Sequence, residues 1–363
     1  MPANRFPTAV ALAGGTLFAL SLVLPRLVAR LDHPAPRPQV TELPADASLD
    51  VIIPSYLEAG IIGAKITRLR ADLATWPGNA RIVVVASDDE TAEAARGADS
   101  VLRVPRDGKA SACNRGVAAS TADVVVLTDA NCAIGPDSWP DRLRASLADW
   151  SLVSANKTES GGSEQAFWAL ERATKASMNA GTLSVAGEFL AFRRKDYRPV
   201  PRSTVLDDLS IALSFTDRGL AVTVAPDIET IEDAVVGREQ WERRVRIAGG
   251  LFVEALPRLP ALLRNAPGRL FMAHKLYRMT LGCAGFWAFI AGAALIFPPL
   301  TLAIPLIVAY LAVSYHVPRI ALGSLAPATT VVGLQTVPPA AAFRSLLTRR
   351  HGERAGLWKK IPR

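Results

Sequence analysis

Cysteine is scarce in this chain. Among 363 residues there are three, Cys113, Cys132 and Cys283, and none falls in a CxxC pair. That excludes a disulfide framework and argues for reduced thiols in a cytosolic catalytic segment. Zinc-finger spacing, heptad runs, internal repeats and low-complexity tracts are also missing. Charge is missing locally. Thr8 to Pro25 carries no Asp, Glu, Lys or Arg, and neither does Met279 to Val317. A transporter is disfavoured by the same stretches, because they hold no charged residue to line a path.

What is present is apolar surface. Half the chain is hydrophobic, at 50%. Thr8–Pro25 is about as long as a bilayer-spanning helix requires, and no small-residue cleavage site precedes the Arg26 and Arg30 flank. An uncleaved anchor is expected. Met279–Val317 is roughly two spans long at ~1.5 Å per residue, with Pro298-Pro299 in its middle as a turn. A hairpin of Met279–Phe297 and Leu300–His316 follows.

Lys and Arg set the orientation. Arg26, Arg30 and Arg37 follow the first span, Arg269, Lys275 and Arg278 precede the second, and Arg319 follows the third. With three spans, these and the basic tail share the cytoplasmic side, and the N-terminus lies outside. The expectation is a multi-pass protein of the cytoplasmic (inner) membrane. Ala321–Ala342 reads as interfacial or re-entrant. The net charge of +8 suits nucleic acid in principle. Much of it sits in the tail, however, where anionic membrane lipids explain it more simply, so no nucleic-acid partner is expected.

Between the membrane segments, apolar runs alternate with helix-like stretches. Strands are expected at Leu49–Pro54, Arg81–Ala86, Val101–Val104 and Asp123–Thr128. Helices are expected at Ile61–Trp76, Glu90–Arg96 and Lys109–Ala119. The class is α/β, a mostly parallel sheet with helices on both faces. The expected organisation is an anchor at 1–31, a catalytic domain at 48–250, interfacial helices at 251–278, the hairpin at 279–317, and an interfacial segment and tail at 318–363.

Ligands of such sheets sit at the carboxyl ends of strands, and acids stand at those ends here. Glu58 follows Pro54-Ser55-Tyr56-Leu57 at a strand-to-helix turn, and either offers its carboxylate to a nucleotide or is an ordinary residue near a helix start. Asp88 follows RIVVVAS and is placed either to accept from a nucleoside or to cap a helix. Asp129 ends DVVVLT. With Asn131 as a neutral oxygen donor, it is suited to hold Mg²⁺ or Mn²⁺ on a diphosphate. Lys109 adds a point charge, or is a solvated helix residue. Asp207-Asp208 opens a helix and either favours its N-terminus or supplies a general base for a hydroxyl nucleophile. In Gln240–Arg246, Arg243 and Arg244 suit phosphates and Trp241 a sugar or base, unless the segment is an interfacial helix.

Together these segments resemble the inverting glycosyltransferase family 2, of GT-A fold. They are most similar to its membrane-bound branch of cellulose, chitin and hyaluronan synthases and ceramide-glucosyltransferase-like enzymes. The resemblance covers about Leu49 to Gly250 plus the flanking membrane helices. It puts Asp88 at the nucleoside-binding position, Gly108–Asn114 (GKASACN) at the GKxxALN element and Asp129-Ala130-Asn131 at the DxD position. Gly187–Arg194 falls at the acceptor-side GxxxxxRR element, with Gly187 and Glu188 facing the acceptor. Asp208 falls at the catalytic base, preceded by Asp207 where the family has Glu. Gln240, Arg243 and Arg244 match QxxRW, and Glu232-Asp233 resembles an acidic pair before it. Three departures stand out: Leu57 within the YNE element, DxN for DxD, and Arg244 where the last motif has Trp. The last argues against processivity.

The resemblance implies a nucleotide-sugar donor, UDP-linked in this reading, carrying a hexose or N-acetylhexosamine. The acceptor is a growing exopolysaccharide or lipid-linked saccharide. The alternatives are a glycolipid synthase acting on ceramide or diacylglycerol, and a non-catalytic scaffold subunit. A homo-oligomer or other polysaccharide-assembly proteins are the possible protein partners.

Overall fold

The computed structural model describes residues 5–31, 42–160, 165–178, 181–235, 237–296, 301–316 and 326–351. The Pro298-Pro299 turn, Arg37, Arg319 and the end of the basic tail lie outside them. The chain divides into two compact units. One is built from Pro34–Ser160 and Ala180–Asp233, the other from Met1–His33, Gly161–Asn179 and Ala234–Gly352.

The first unit is an eight-stranded sheet ordered β3-β2-β1-β4-β7-β6-β8-β5. Its strands are β1 (Leu49–Ser55), β2 (Ala80–Ala86), β3 (Ser100–Arg103), β4 (Val124–Thr128), β5 (Ala133–Gly135), β6 (Leu152–Ser160), β7 (Phe189–Arg193) and β8 (Val222–Asp233). The half made of β3, β2, β1 and β4 is parallel. Every residue of β1 and β4 is buried, which is why these segments read as continuous apolar runs rather than alternating ones. Each large side chain in this core contributes about 1.5–3 kcal/mol of burial.

The expected helices form at Ala59–Asp72, Asp89–Ala94 and Lys109–Ala119. The last packs hard on the sheet at Gly116, where a Cβ would lie 2.5 Å from Ile52 Cγ2. The other half of the sheet departs from the simple pattern. β7 runs antiparallel between β4 and β6, and β5 runs antiparallel to β8. The result is a mixed sheet of GT-A type. Because β7 borders β4, with Thr128 opposite Phe189, the turn after β4 meets the turn before β7.

The second unit is helical. Two of its helices are long and apolar enough to cross a membrane, Arg5–Leu31 and Ala266–Ile296. The expected second span begins at Met279, but the helix starts thirteen residues earlier, at Ala266. Asn265 caps it, its side chain accepting from Gly268 N at 2.7 Å, and Pro267 occupies the first turn. The helix includes two π turns, Met272–Leu276 and Arg278–Gly282. Its basic residues converge on one buried acid. Glu171, from the helix Gln165–Ala176, pairs with His274 Nε2 at 3.0 Å, Arg278 at 2.5 Å, and Lys275.

The Arg5–Leu31 helix approaches this long helix through small residues. A Cβ at Gly14 would lie 2.6 Å from Gly285 O, one at Gly292 2.6 Å from Ala11 N, and one at Gly282 2.8 Å from Ser21 Cβ. The spacing of Ala11, Gly14 and Ser21 keeps one face of the helix in contact. The third apolar helix, Ala303–His316, spans 14 residues as described. A helix at Ala326–His351 continues through Pro338 and Pro339, where an interfacial or re-entrant segment is expected. It packs Val337 and Ala341 against Val245 and Ala248.

Candidate active site

The carboxyl end of β1 leads into a turn in which Leu57 takes a left-handed backbone, φ 54°. Asp88 holds that turn. Its Oδ2 accepts from Leu57 N at 2.8 Å, and its Oδ1 accepts from Thr91 N at 2.8 Å, capping the helix Asp89–Ala94. Thr91 Oγ1 in turn accepts from Glu58 N at 3.0 Å, and Glu58 is buried. The two expected nucleoside-side acids therefore sit together on one constructed turn. Asp89, next to Asp88 in the chain, is exposed and pairs with Arg103. The capping and binding readings of Asp88 are compatible, since a carboxylate has about four acceptor positions.

The GKASACN element opens with Gly108 at φ 90°, a left-handed position that favours glycine, just before the helix Lys109–Ala119. Its Asn114 is fully engaged in holding the fold. Nδ2 donates to Val200 O at 2.8 Å, while Oδ1 accepts from Tyr197 Oη at 2.7 Å and Val200 N at 3.1 Å.

Lys109 is the centre of the site. Its Nζ lies 2.6 Å from Asp129 Oδ1 and 3.8 Å from Asp207 Oδ2, and donates to Gly187 O at 3.4 Å. Desolvation disfavours the ammonium, but Asp129 and Asp207 outweigh it and hold the Lys109 pKa well above its ordinary value. One cation thus joins the turn after β4, the turn before β7 and the start of the helix Asp207–Thr216. Cys113, one turn further along the Lys109 helix, is buried and its thiol is pushed up beyond the physiological range, chiefly by desolvation and then by Asp207, so it stays protonated.

Asp208 is an acid with a strongly displaced protonation. Burial raises its pKa to about 7, and Asp207 adds to the rise; the Leu209 N–H on Oδ1 at 2.8 Å and the Lys109 charge oppose it. A carboxyl so poised is half in its basic form near neutral pH. Gly187 packs directly on it.

Two buried lysines support the turn at residues 128–132, and sequence reasoning missed both. Lys65 Nζ donates to Cys132 O at 2.7 Å and Thr128 Oγ1 at 3.3 Å. It falls on the buried face of its helix with Ile62, Ile66 and Leu69, a periodicity that could have marked it. Lys157, in β6, pairs with Glu188 Oε1 at 2.5 Å and with Glu232. Glu232 Oε1 accepts from Asn131 Nδ2 at 2.6 Å, and Thr128 Oγ1 donates to Glu188 O at 2.8 Å. Glu188, expected on the acceptor side, is thereby tied to the turn that carries Asp129.

The expected phosphate-binding residues belong to the helical unit. Gln240, Trp241, Arg243 and Arg244 lie on the helix Arg238–Ala255. Gln240 is buried. Trp241 Nε1 donates to Thr336 Oγ1 at 3.3 Å, and its ring meets His316 edge-on at 5.5 Å. The Arg244 guanidinium stands 4.5 Å from the Phe167 ring centroid and 5.2 Å from that of Trp168. Within their own unit, Trp241 and Arg244 therefore also serve packing between helices.

Among the described residues no group of three or more His, Cys, Asp or Glu is arranged to hold a metal ion. The oxygen donors nearest that role are Asp129 and Asn131. With Nδ2 of Asn131 on Glu232 and Lys109 on Oδ1 of Asp129, one amide oxygen and one carboxylate oxygen remain. That donor set fits a hard divalent cation completed by substrate phosphates.

A GT-A sheet with acids at its strand ends defines a glycosyltransferase. Residues 50–200 match the family described as Glycosyl transferase family 2. Among solved structures, the mannosyltransferase PcManGT from Pyrobaculum calidifontis, in complex with GDP-Man and Mn²⁺, is similar at 23% identity and TM-score 0.67, over 94% of this chain and 99% of that one. Mannosyl-3-phosphoglycerate synthase from Rubrobacter xylanophilus aligns at 19% identity and TM-score 0.41, over 58% of this chain and 75% of its own. Glucosyl-3-phosphoglycerate synthase from Mycobacterium tuberculosis, with Mn²⁺, UDP and glucosyl-3-phosphoglycerate, aligns at 19% identity and TM-score 0.41, over 58% and 80%. No curated protein sequence is significantly similar.

Proposed function

We propose that this glycosyltransferase is membrane-anchored and inverting. It moves a hexose or N-acetylhexosamine from a nucleotide sugar, UDP-linked in our reading, to a growing exopolysaccharide or lipid-linked saccharide at the cytoplasmic face. The observation that carries the proposal is the joining of Asp129, Asp207 and Gly187 by Lys109, with Asp208 beside Gly187 and poised near neutrality. The glycine-mediated seam between Arg5–Leu31 and Ala266–Ile296 supports a retained anchor rather than a removed leader.

In this mechanism the donor's nucleoside lies at the Glu58–Asp88 turn and its diphosphate near Lys109. Asp129 and Asn131 would hold a divalent cation, Mg²⁺ or Mn²⁺, which when bound would supply charge neutralisation for a diphosphate leaving group. Asp208 accepts the proton of the acceptor hydroxyl as that oxygen bonds to the anomeric carbon. The bond from that carbon to the phosphate oxygen breaks, and its electron pair leaves with the nucleoside diphosphate. Attack opposite the leaving group inverts the centre, so no covalent enzyme intermediate is needed. Lys109 keeps its proton throughout and offers its charge to the phosphates. Gln240, Arg243 and Arg244 are the proposed further phosphate contacts, and Trp241 an acceptor contact.

The test is turnover of a panel of radiolabelled UDP- and GDP-sugars by the purified protein in lipid, with Mg²⁺ or Mn²⁺, followed by sizing of the product. GDP-mannose enters because the Pyrobaculum enzyme was solved with it. A ladder from one donor supports a saccharide acceptor. A single organic-extractable product moves the assignment to a lipid. Absence of both transfer and nucleoside diphosphate release with every donor contradicts the proposal and favours the scaffold reading.

A further inference from the structure

The Asn in DxN is an apparent weakness of the metal site, because a carboxylate there would bring a second negative charge. The structure gives a local reason for the amide. Asn131 Nδ2 donates to Glu232 Oε1 at 2.6 Å. Glu232 is buried, and its Oε2 is held by Lys157 of β6, which is itself buried and pairs with Glu188 at 2.5 Å and Glu159 at 3.8 Å. With Lys157 on one oxygen of Glu232, the other oxygen accepts from Asn131 Nδ2. The partner must therefore donate, which fixes which way the Asn131 amide is turned and leaves Oδ1 as its acceptor atom.

We infer that Lys157 and Glu232 are positioning residues that orient Asn131 as a neutral oxygen ligand, so that asparagine is the residue this site requires. The inference rests on the functional reading above. An aspartate at 131 would set a carboxylate oxygen about where Nδ2 now stands, against Glu232, in surroundings of low effective dielectric. Like charges at that separation repel strongly. Either the new side chain swings away from the ligand position or the Glu232–Lys157 pair breaks. The substitution that recreates DxD is therefore expected to weaken cation binding. Replacing Glu232 by glutamine should reverse this, because the glutamine amide can donate where the glutamate accepts.

The experiment is a double-mutant cycle on the full chain in lipid nanodiscs. It measures Mn²⁺ binding by electron paramagnetic resonance in the presence of UDP or GDP, a readout independent of turnover. Asn131→Asp is expected to bind Mn²⁺–nucleotide about tenfold more weakly than wild type, within the range typical of contacting pairs. The double variant Asn131→Asp/Glu232→Gln is expected to return to within about threefold of wild type. Binding by Asn131→Asp as tight as wild type overturns the inference, as does a loss that Glu232→Gln fails to restore. If Asn131→Asp does not fold, Glu232→Ala is compared with wild type. The alanine, which releases the amide, should bind about tenfold more weakly, and binding equal to wild type overturns the inference. If the wild type binds neither Mn²⁺–UDP nor Mn²⁺–GDP, the functional reading fails and the inference falls with it.

Discussion

Gly187 faces Asp208 closely enough that a Cβ on Gly187 would stand 3.3 Å from Asp208 Cβ and 3.4 Å from its Oδ2. The glycine that precedes Glu188 and β7 thus sets the space in which the proposed base sits. An alanine would press on Asp208 by a few tenths of an ångström, and a valine by more. Gly187→Ala should lower kcat modestly and Gly187→Val by about 10²-fold, the cost of a displacement near 1 Å at a reacting group. Donor binding and thermal stability should change little in either variant. Steady-state kinetics with nucleotide binding in parallel check this.

Rate should depend on pH through Asp208. The base must be ionised to work, and its pKa is raised to about 7. Activity is therefore lost as pH falls through that value, and kcat/KM should show an acid limb near pH 7. Asp207 is one cause of the rise, so Asp207→Asn should move the limb to lower pH. Burial, the larger cause, remains, and the limb should stay above the ordinary carboxylate range. A limb that does not move on this substitution would remove Asp207 from the account.

Asp129→Ala should abolish the dependence of donor binding on Mg²⁺ or Mn²⁺. It should also free Lys109 from its 2.6 Å contact. Calorimetric titration of nucleotide with and without metal measures both effects. Equal nucleotide affinity in the two conditions for the wild type, as well as for the variant, would refute the metal role.

The sequence was informative about this site in an uneven way. The parallel half of the sheet was legible because β1, β2 and β4 are buried on both faces and so read as unbroken apolar runs. The helix Lys109–Ala119 was legible to the residue, because glycine and the following lysine mark its start. The antiparallel insertion of β7 was not, because strand order depends on contacts distant in sequence. Lys157 was missed for the same reason. Its partners Glu188 and Glu232 are 31 and 75 residues away, and nothing local pairs the three. The expected span begins at Met279 because Arg269, Lys275 and Arg278 resemble a membrane boundary, whereas the apolar helix itself runs from Ala266. Lys275 and Arg278 both pair with Glu171, about a hundred residues earlier in the chain.

The seam between the two long apolar helices should fail when its small residues are enlarged. At Gly14 a Cβ would meet Phe289 N at 2.5 Å, and at Gly285 it would meet Leu17 Cβ at 2.6 Å. Gly14→Leu or Gly285→Leu should destabilise the helical unit by about 1–3 kcal/mol, the usual cost of overpacking. Leu12, which is 68% exposed on the outer face of the first helix, should tolerate substitution by valine. Thermal melts in detergent distinguish the two classes.

The most direct test of the account is single-turnover transfer by wild type and Asp208→Asn, with donor binding measured on the same preparations. The account predicts that the wild type forms product of inverted anomeric configuration. It predicts that the variant binds nucleotide sugar and metal as the wild type does, yet transfers at least 10²-fold more slowly, as loss of a general base requires. Transfer by Asp208→Asn at the wild-type rate, or product that retains the donor's configuration, would contradict it.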